Sequence, residues 1–238
     1  NFFFFFNQFP ISFLYLYNKY TKMKYVIFHF RTGGFDSSEH SIIEVAAIVE
    51  DTKNKLNFES IPKYRTLVYN EIYKGDPYAF YLNSEMLKEI NDAIKNQSNT
   101  IVPLDMLALD LYTWLSKYID TYVDDSNYML DFNSFGKNYS GDGVAKTNKK
   151  SKLLINVGGK NFGVLQHRFL KKIPNINEYI SLNHRFIDPS ILFFESDDDS
   201  LPNTEQCKAR AGIIISNSNN SLNECWDVIN MLRKKLNY

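Results

Sequence analysis

The apolar positions of the chain fall into two kinds of run. Tyr25-Val26-Ile27-Phe28 is apolar on both faces, then alternates through His29, Phe30 and Arg31 before Thr32-Gly33-Gly34 interrupts it. A run of this kind marks a central strand buried on both sides. Ser41 to Val49 forms a second apolar run after a short polar loop. A polar turn at Asp51-Thr52-Lys53-Asn54 leads to a third segment ending in Thr66-Leu67-Val68-Tyr69. The pattern predicts strands over 24–31, 40–50 and 55–69, joined as an antiparallel meander. A strand has period two, so His29 and Arg31 share one face at the end of the first strand.

Helical spacing follows. Met86, Leu87, Ile90 and Ile94 predict a helix over 84–95 with Ser84 as its cap, and Leu104 to Ile119 predicts another. Leu153 to Val157 reads as a fourth strand closed by Gly158-Gly159, and 184–190 as a short fifth. Leu222, Cys225, Trp226, Ile229, Leu232 and Leu236 predict a last helix beginning at Ser221. Ser221 and Glu224 have capping-box spacing. The acidic run Asp197-Asp198-Asp199 precedes Leu201-Pro202-Asn203, a helix-start signal, and so reads as a solvated loop rather than a metal cluster.

Two segments stand apart. Residues 1–22 carry Phe2 to Phe6 and Phe13 to Tyr17, yet Asn7, Gln8 and Pro10 break the run short of the ~20 apolar residues a span needs. They lack the basic start and small-residue cleavage site of a secretory signal. The expectation is a non-native upstream leader with the domain running over 23–238 from Met23; the alternative is a short hydrophobic anchor. Residues 122–151 are polar, read as an inserted loop, and end in a basic cluster at Lys146, Lys149, Lys150 and Lys152.

The 238 residues suffice for one sizeable domain, and 44% hydrophobic with 16% aromatic residues places the chain among folded proteins. With 27 basic and 27 acidic side chains, the total charge does not itself advertise a nucleic-acid partner. The two cysteines, Cys207 and Cys225, make no disulfide framework, which fits a cytoplasmic or nuclear compartment.

The stretch from Tyr25 to Gly34 resembles the first motif of the DEDD (DEDDh-like) 3′–5′ exonucleases of the ribonuclease H-like superfamily. That motif reads hydrophobic-Asp-hydrophobic-Glu-Thr-Thr-Gly, followed by a strand with Ile-Ile-Glu, here Ile42-Ile43-Glu44. Lys160-Asn161-Phe162 with Phe169-Leu170 resembles the second motif, and His184-Arg185 with Asp188-Pro189 a further family pattern. The third motif, His-x-Ala-Leu-x-Asp, falls on Asn219 to Glu224. The resemblance implies an α/β fold of ribonuclease H-like type: a mixed five-stranded sheet, three antiparallel strands and then parallel ones, flanked by helices. It also implies a structural role for Asp188.

At the positions that carry chemistry in the family, this chain has His29, Arg31, Gln166 and Glu224 for the four carboxylates, and Asn219 for the general-base His. Active relatives use two Mg or Mn ions, about 4 Å apart, which clamp the attacking and leaving oxygens. Magnesium needs hard oxygen ligands. Arg31 cannot lose its proton, and at about 4 Å a guanidinium repels a divalent ion by several kcal/mol even at an effective dielectric near 20. Arg31 is expected instead to pair with Glu224 or to hold a phosphate. His29 and Glu224 alone are too few for a tight zinc site.

No cofactor is therefore expected. The resemblance implies an exonuclease-like protein that has lost catalysis and binds a single-stranded DNA or RNA 3′ end or a protein partner. Its groove would be lined by Arg31, Thr32, Gly33, Gly34, Asn161 and Phe162. The alternatives are an active metal-dependent exonuclease that recruits Asp36, Glu39, Glu44 or Asp188, and a structural scaffold module.

Overall fold

The computed structural model describes residues 23–98, 100–123, 151–214 and 220–238. The 1–22 leader and most of the inserted loop, 124–150, lie outside the described residues.

The central strand β1 (Lys24–Thr32) pairs antiparallel with β2 (Ile42–Asp51), which pairs antiparallel with β3 (Lys63–Tyr69). Helix α1 (Pro77–Leu82) and helix α2 (Ser84–Lys95) follow, then the short β4 (Ile101–Pro103), which extends the sheet parallel to β3. Helix α3 (Leu107–Leu115) leads to β5 (Tyr122–Val123). Strand β6 (Lys152–Gly158) runs parallel to β1, and β5 pairs antiparallel with its first residues.

A π-helical turn, Phe162–Gln166, continues into α4 (His167–Lys172), and α5 (Ile176–Tyr179) follows. Strand β7 (Ile180–Ile187) lies parallel to β6. Helices α6 (Pro189–Leu192), α7 (Thr204–Ala211) and α8 (Ser221–Leu236) complete the described chain. The core is thus the mixed sheet β3-β2-β1-β6-β7, with β4 and β5 as small additions.

The alternation on β1 divides the interior. Val26, Phe28 and Phe30 join Val45, Ala47, Leu111, Leu115, Ile155 and Phe169 on the α3/α4 face. Tyr25 and Ile27 join Ala46, Ile48, Cys225, Val228, Ile229 and Leu232 on the α8 face. The ladder slips between Arg31 and Thr32, whose partners are Glu44 and Ile42. This bulge at Ile43 turns that side chain into a third cluster with Leu67, Met86 and Ile90 under α2.

Several boundaries differ from the sequence expectation: α3 covers 107–115 rather than 104–119, and Ser84 is the first residue of α2, whose N-cap is Asn83. Strand β3 begins at Lys63, because Leu56, Phe58 and Ile61 pack as a loop against the α8 cluster. Strand β7 spans 180–187 rather than 184–190, since Asp188 caps α6 by accepting from the Ser190 amide at 2.9 Å. Tyr122 and Val123 belong to β5 rather than to the loop. On α8 the N-cap is Asn220, whose side chain accepts from the Leu222 amide at 2.9 Å, so Ser221 is left for other use.

Candidate functional site

Strand β1 delivers His29 and Arg31 to the α8 side of the sheet. Arg31 stands opposite Glu44 across the ladder. Glu44 is 1% exposed, and its carboxylate accepts from Arg65 Nε and from the Ser221 hydroxyl. Arg31 Nε donates to the same hydroxyl at 3.3 Å. Arg65 forks outward to Glu89 at 3.1 and 2.9 Å. Arg31, Ser221, Glu44, Arg65 and Glu89 therefore form one continuous network tying β1, β2, β3, α2 and α8 together. The Arg65 guanidinium is held protonated above its usual range, first by its hydrogen bonds to Glu89. A cavity of about 500 Å³ opens over Glu44, Arg65 and Ser221, walled by Tyr81, Leu82 and Glu85.

His29 sits behind Arg31. Burial first, then the positive charges of Arg31 and Lys160, lower its pKa to about 3, so the imidazole is neutral at pH 7. Gln166 is buried, and both ends of its amide are engaged. Oε1 accepts from the Phe30 amide at 2.9 Å, and Nε2 donates to the Lys160 carbonyl at 3.2 Å. The β1–β6 ladder stops at Ile27 and Gly158, which leaves the Phe30 N–H without a strand partner on that edge. The Gln166 side chain supplies the missing acceptor.

The other expected groove residues are placed as follows. Gly33 is buried where two backbones touch: a Cβ there would lie 2.2 Å from the Lys74 carbonyl oxygen. Its carbonyl accepts from the Asp76 amide at 2.7 Å. Gly34 has φ +152° and packs on His40 and Asp76. Thr32 Oγ1 donates to the Gly34 carbonyl at 2.6 Å. Phe162 is 1% exposed and tilts against Phe28 and Phe186, so it shapes the core rather than presenting a face to a base. Asn161 is exposed and left-handed at φ 53°, starting the π-turn. Glu224 lies in the first turn of α8, where its charge acts on Lys208 and Cys225. Asn219 lies outside the described residues.

Thus the structure brings Arg31 and His29 together, sets Gln166 behind the same strand end, and stands Glu44 beside Arg31. Sequence reasoning set Glu44 aside and overlooked Arg65 and the hydroxyl of Ser221. The signal available was a buried-strand Glu opposite a strand-end Arg in an antiparallel register. Among the described residues, no three His, Cys, Asp or Glu side chains converge as metal ligands would. Asp198, in the acidic run, is engaged by Arg210 at 2.6 Å, which holds its carboxyl down at about 2.

No family model matches the chain, and no curated protein matches its sequence. Solved structures match its fold. Exonuclease I of E. coli in complex with a dT13 oligonucleotide is 10% identical over 90% of this chain and 42% of its own, with a TM-score of 0.51. Cell-death related nuclease 4 (CRN-4) is 10% identical over 90% of this chain and 64% of its own, with a TM-score of 0.53. The zinc-bound form of the E. coli exonuclease I–single-stranded DNA complex is 11% identical over 89% and 41%, also with a TM-score of 0.53. The chain therefore spans less than two thirds of each. At these identities the likeness establishes the fold: a ribonuclease H-like α/β sheet of the kind exonucleases use. Among the described residues, no helix is long and apolar enough to cross a membrane.

Proposed function

We propose that this chain is an exonuclease-fold protein that holds a single-stranded nucleic-acid 3′ end without cutting it. The observation that carries the reading is the cation at the end of β1: Arg31 stands where the family motif has a carboxylate, in front of a half-buried neutral His29. The pair of divalent ions that the fold family implies does not fit these side chains. A guanidinium repels them, and the Gln166 amide already bonds main chain at both ends. A guanidinium at a strand end suits a phosphate oxygen instead. Neighbours of the same fold were solved with single-stranded DNA, which supports a strand as the occupant.

The rival reading is an active nuclease with recruited acids. Three of the four candidates have other partners: Glu44 in the Arg65–Ser221 network, Asp36 accepting from Ser38, and Asp188 accepting from Ser190. The deciding assay uses a 5′-labelled single strand with magnesium or manganese, with anisotropy read in parallel. The expected result is salt-dependent binding with no chelator-sensitive cleavage. Cleavage that a chelator abolishes overturns the proposal. Neither cleavage nor binding leaves a scaffold that assembles with other proteins.

A further inference from the structure

A second cavity lies on the other face of the sheet from Arg31 and Ser221. It has a volume of about 430 Å³ and opens between the π-turn with α4 on one side and β7 on the other. Phe162 forms its floor and Phe186 its rim, with ring centroids 6.1 Å apart at 41°. Phe186 is 44% exposed, a large ring half open to solvent. His167 leans on Phe162 from the inner side, 6.1 Å between centroids. Lys171 and His184 complete the mouth, and among the described residues no Asp or Glu contributes to the lining.

The lining selects its ligand by charge and shape. Cationic and imidazole groups without an acid disfavour cations and attract an anion. Burial first, and then the positive charge of Lys171, lower the His167 pKa. A half-exposed aromatic rim offers a flat apolar face to a planar ring. The volume falls within the range of small-ligand sites. Gly163 keeps the ring in place: a Cβ there would lie 2.5 Å from Phe186 Cζ. We propose that this cavity is a nucleotide site, with a base stacked on Phe186 and a phosphate met by Lys171 and His184. The ligand is a nucleoside phosphate, either free or as one unit of a strand. The site does not depend on the Arg31 groove or on what that groove holds.

The test is titration of the full chain with thymidine 5′-monophosphate, inorganic phosphate and a dT oligonucleotide, followed by amide chemical shifts. The monophosphate should move resonances at 163–171 and 183–186 and leave those of Arg31, Glu44 and Ser221 in place. Lys171→Glu and Phe186→Ala, both at exposed positions, should each weaken it roughly tenfold, whereas Arg31→Ala should leave it unchanged. Phosphate alone should bind more weakly than the monophosphate. Oligonucleotide binding that falls with Lys171→Glu identifies a strand as the occupant; oligonucleotide binding that does not identifies a free nucleotide. Shifts confined to the Arg31 side overturn the proposal, as do equal affinities for phosphate and monophosphate, or no shift at millimolar ligand. Loss of oligonucleotide binding in Arg31→Ala with monophosphate binding intact separates this site from the groove.

Discussion

His29 and Gln166 show what single residues do at the end of β1. His29 titrates at about 3 in the folded chain against an ordinary 6.5. Between those values the unfolded chain binds a proton that the folded chain refuses. Stability should therefore be flat above pH 6.5 and fall as pH drops toward 3, by at most about 1.4 kcal/mol per pH unit from this group. Urea midpoints measured across that window should show the slope, and His29→Asn should flatten it. Gln166→Ala should cost about 1–3 kcal/mol, because it leaves the buried Phe30 amide without an acceptor. Gln166→Glu keeps an acceptor at the same reach and should lose less. Equal midpoints for the alanine and glutamate variants in chemical denaturation would contradict this account.

Between elements, two contacts set the geometry. The Gly33 turn closes on Gly75, and each Cβ would meet the other segment's backbone at 2.2–2.3 Å. Gly33→Ala should cost about 1–3 kcal/mol and loosen the turn that follows β1, seen as faster amide exchange at Ser41 and Asp76. Helices α7 and α8 are joined by Lys208, 2% exposed, bonded to Asp227 at 2.7 Å. Lys208→Met alone strands a buried carboxylate and should cost about 3 kcal/mol, while adding Asp227→Leu should recover most of it by thermal melting.

The strands themselves were readable because burial imposes period two, and α8 because it imposes helical spacing. What the sequence could not show was where an apolar segment stops being a strand. Leu56 and Phe58 begin a strand-like alternation, but Ile61 falls out of phase and all three pack as a loop. β4, three residues long, is too short to carry a period. The strand's period of two put His29 and Arg31 on one face, as β1 has them. Glu44, Arg65 and Ser221 meet across as many as 177 residues of chain, and no spacing rule reaches that far.

At the scale of the whole molecule, charge is balanced, 27 against 27. On the proposed function, strand binding comes from local arrangement rather than net attraction. The slope of log affinity against log salt should be shallow. Arg31→Ala should reduce it by about 0.7, one single-strand phosphate contact. Anisotropy titrations at several salt concentrations give both numbers, and an unchanged slope would remove Arg31 from the interface. The two cavities lie on opposite faces of one sheet, so their occupants are not in steric competition.

The π-turn at Phe162–Gln166 makes this architecture sensitive to heredity in an uneven way. A point change there alters one side chain and leaves the winding in place. Loss of a single codon, Gly163 for instance, would let the turn relax to ordinary α-helical winding and swing Phe162 about 100° around the axis relative to α4. Phe162 would then leave Phe28 and Phe186, and Gln166 would leave Phe30. Lineages that keep this fold should accordingly hold the length of the segment fixed, and a deletion scan should damage folding more here than in the loop around Asn54.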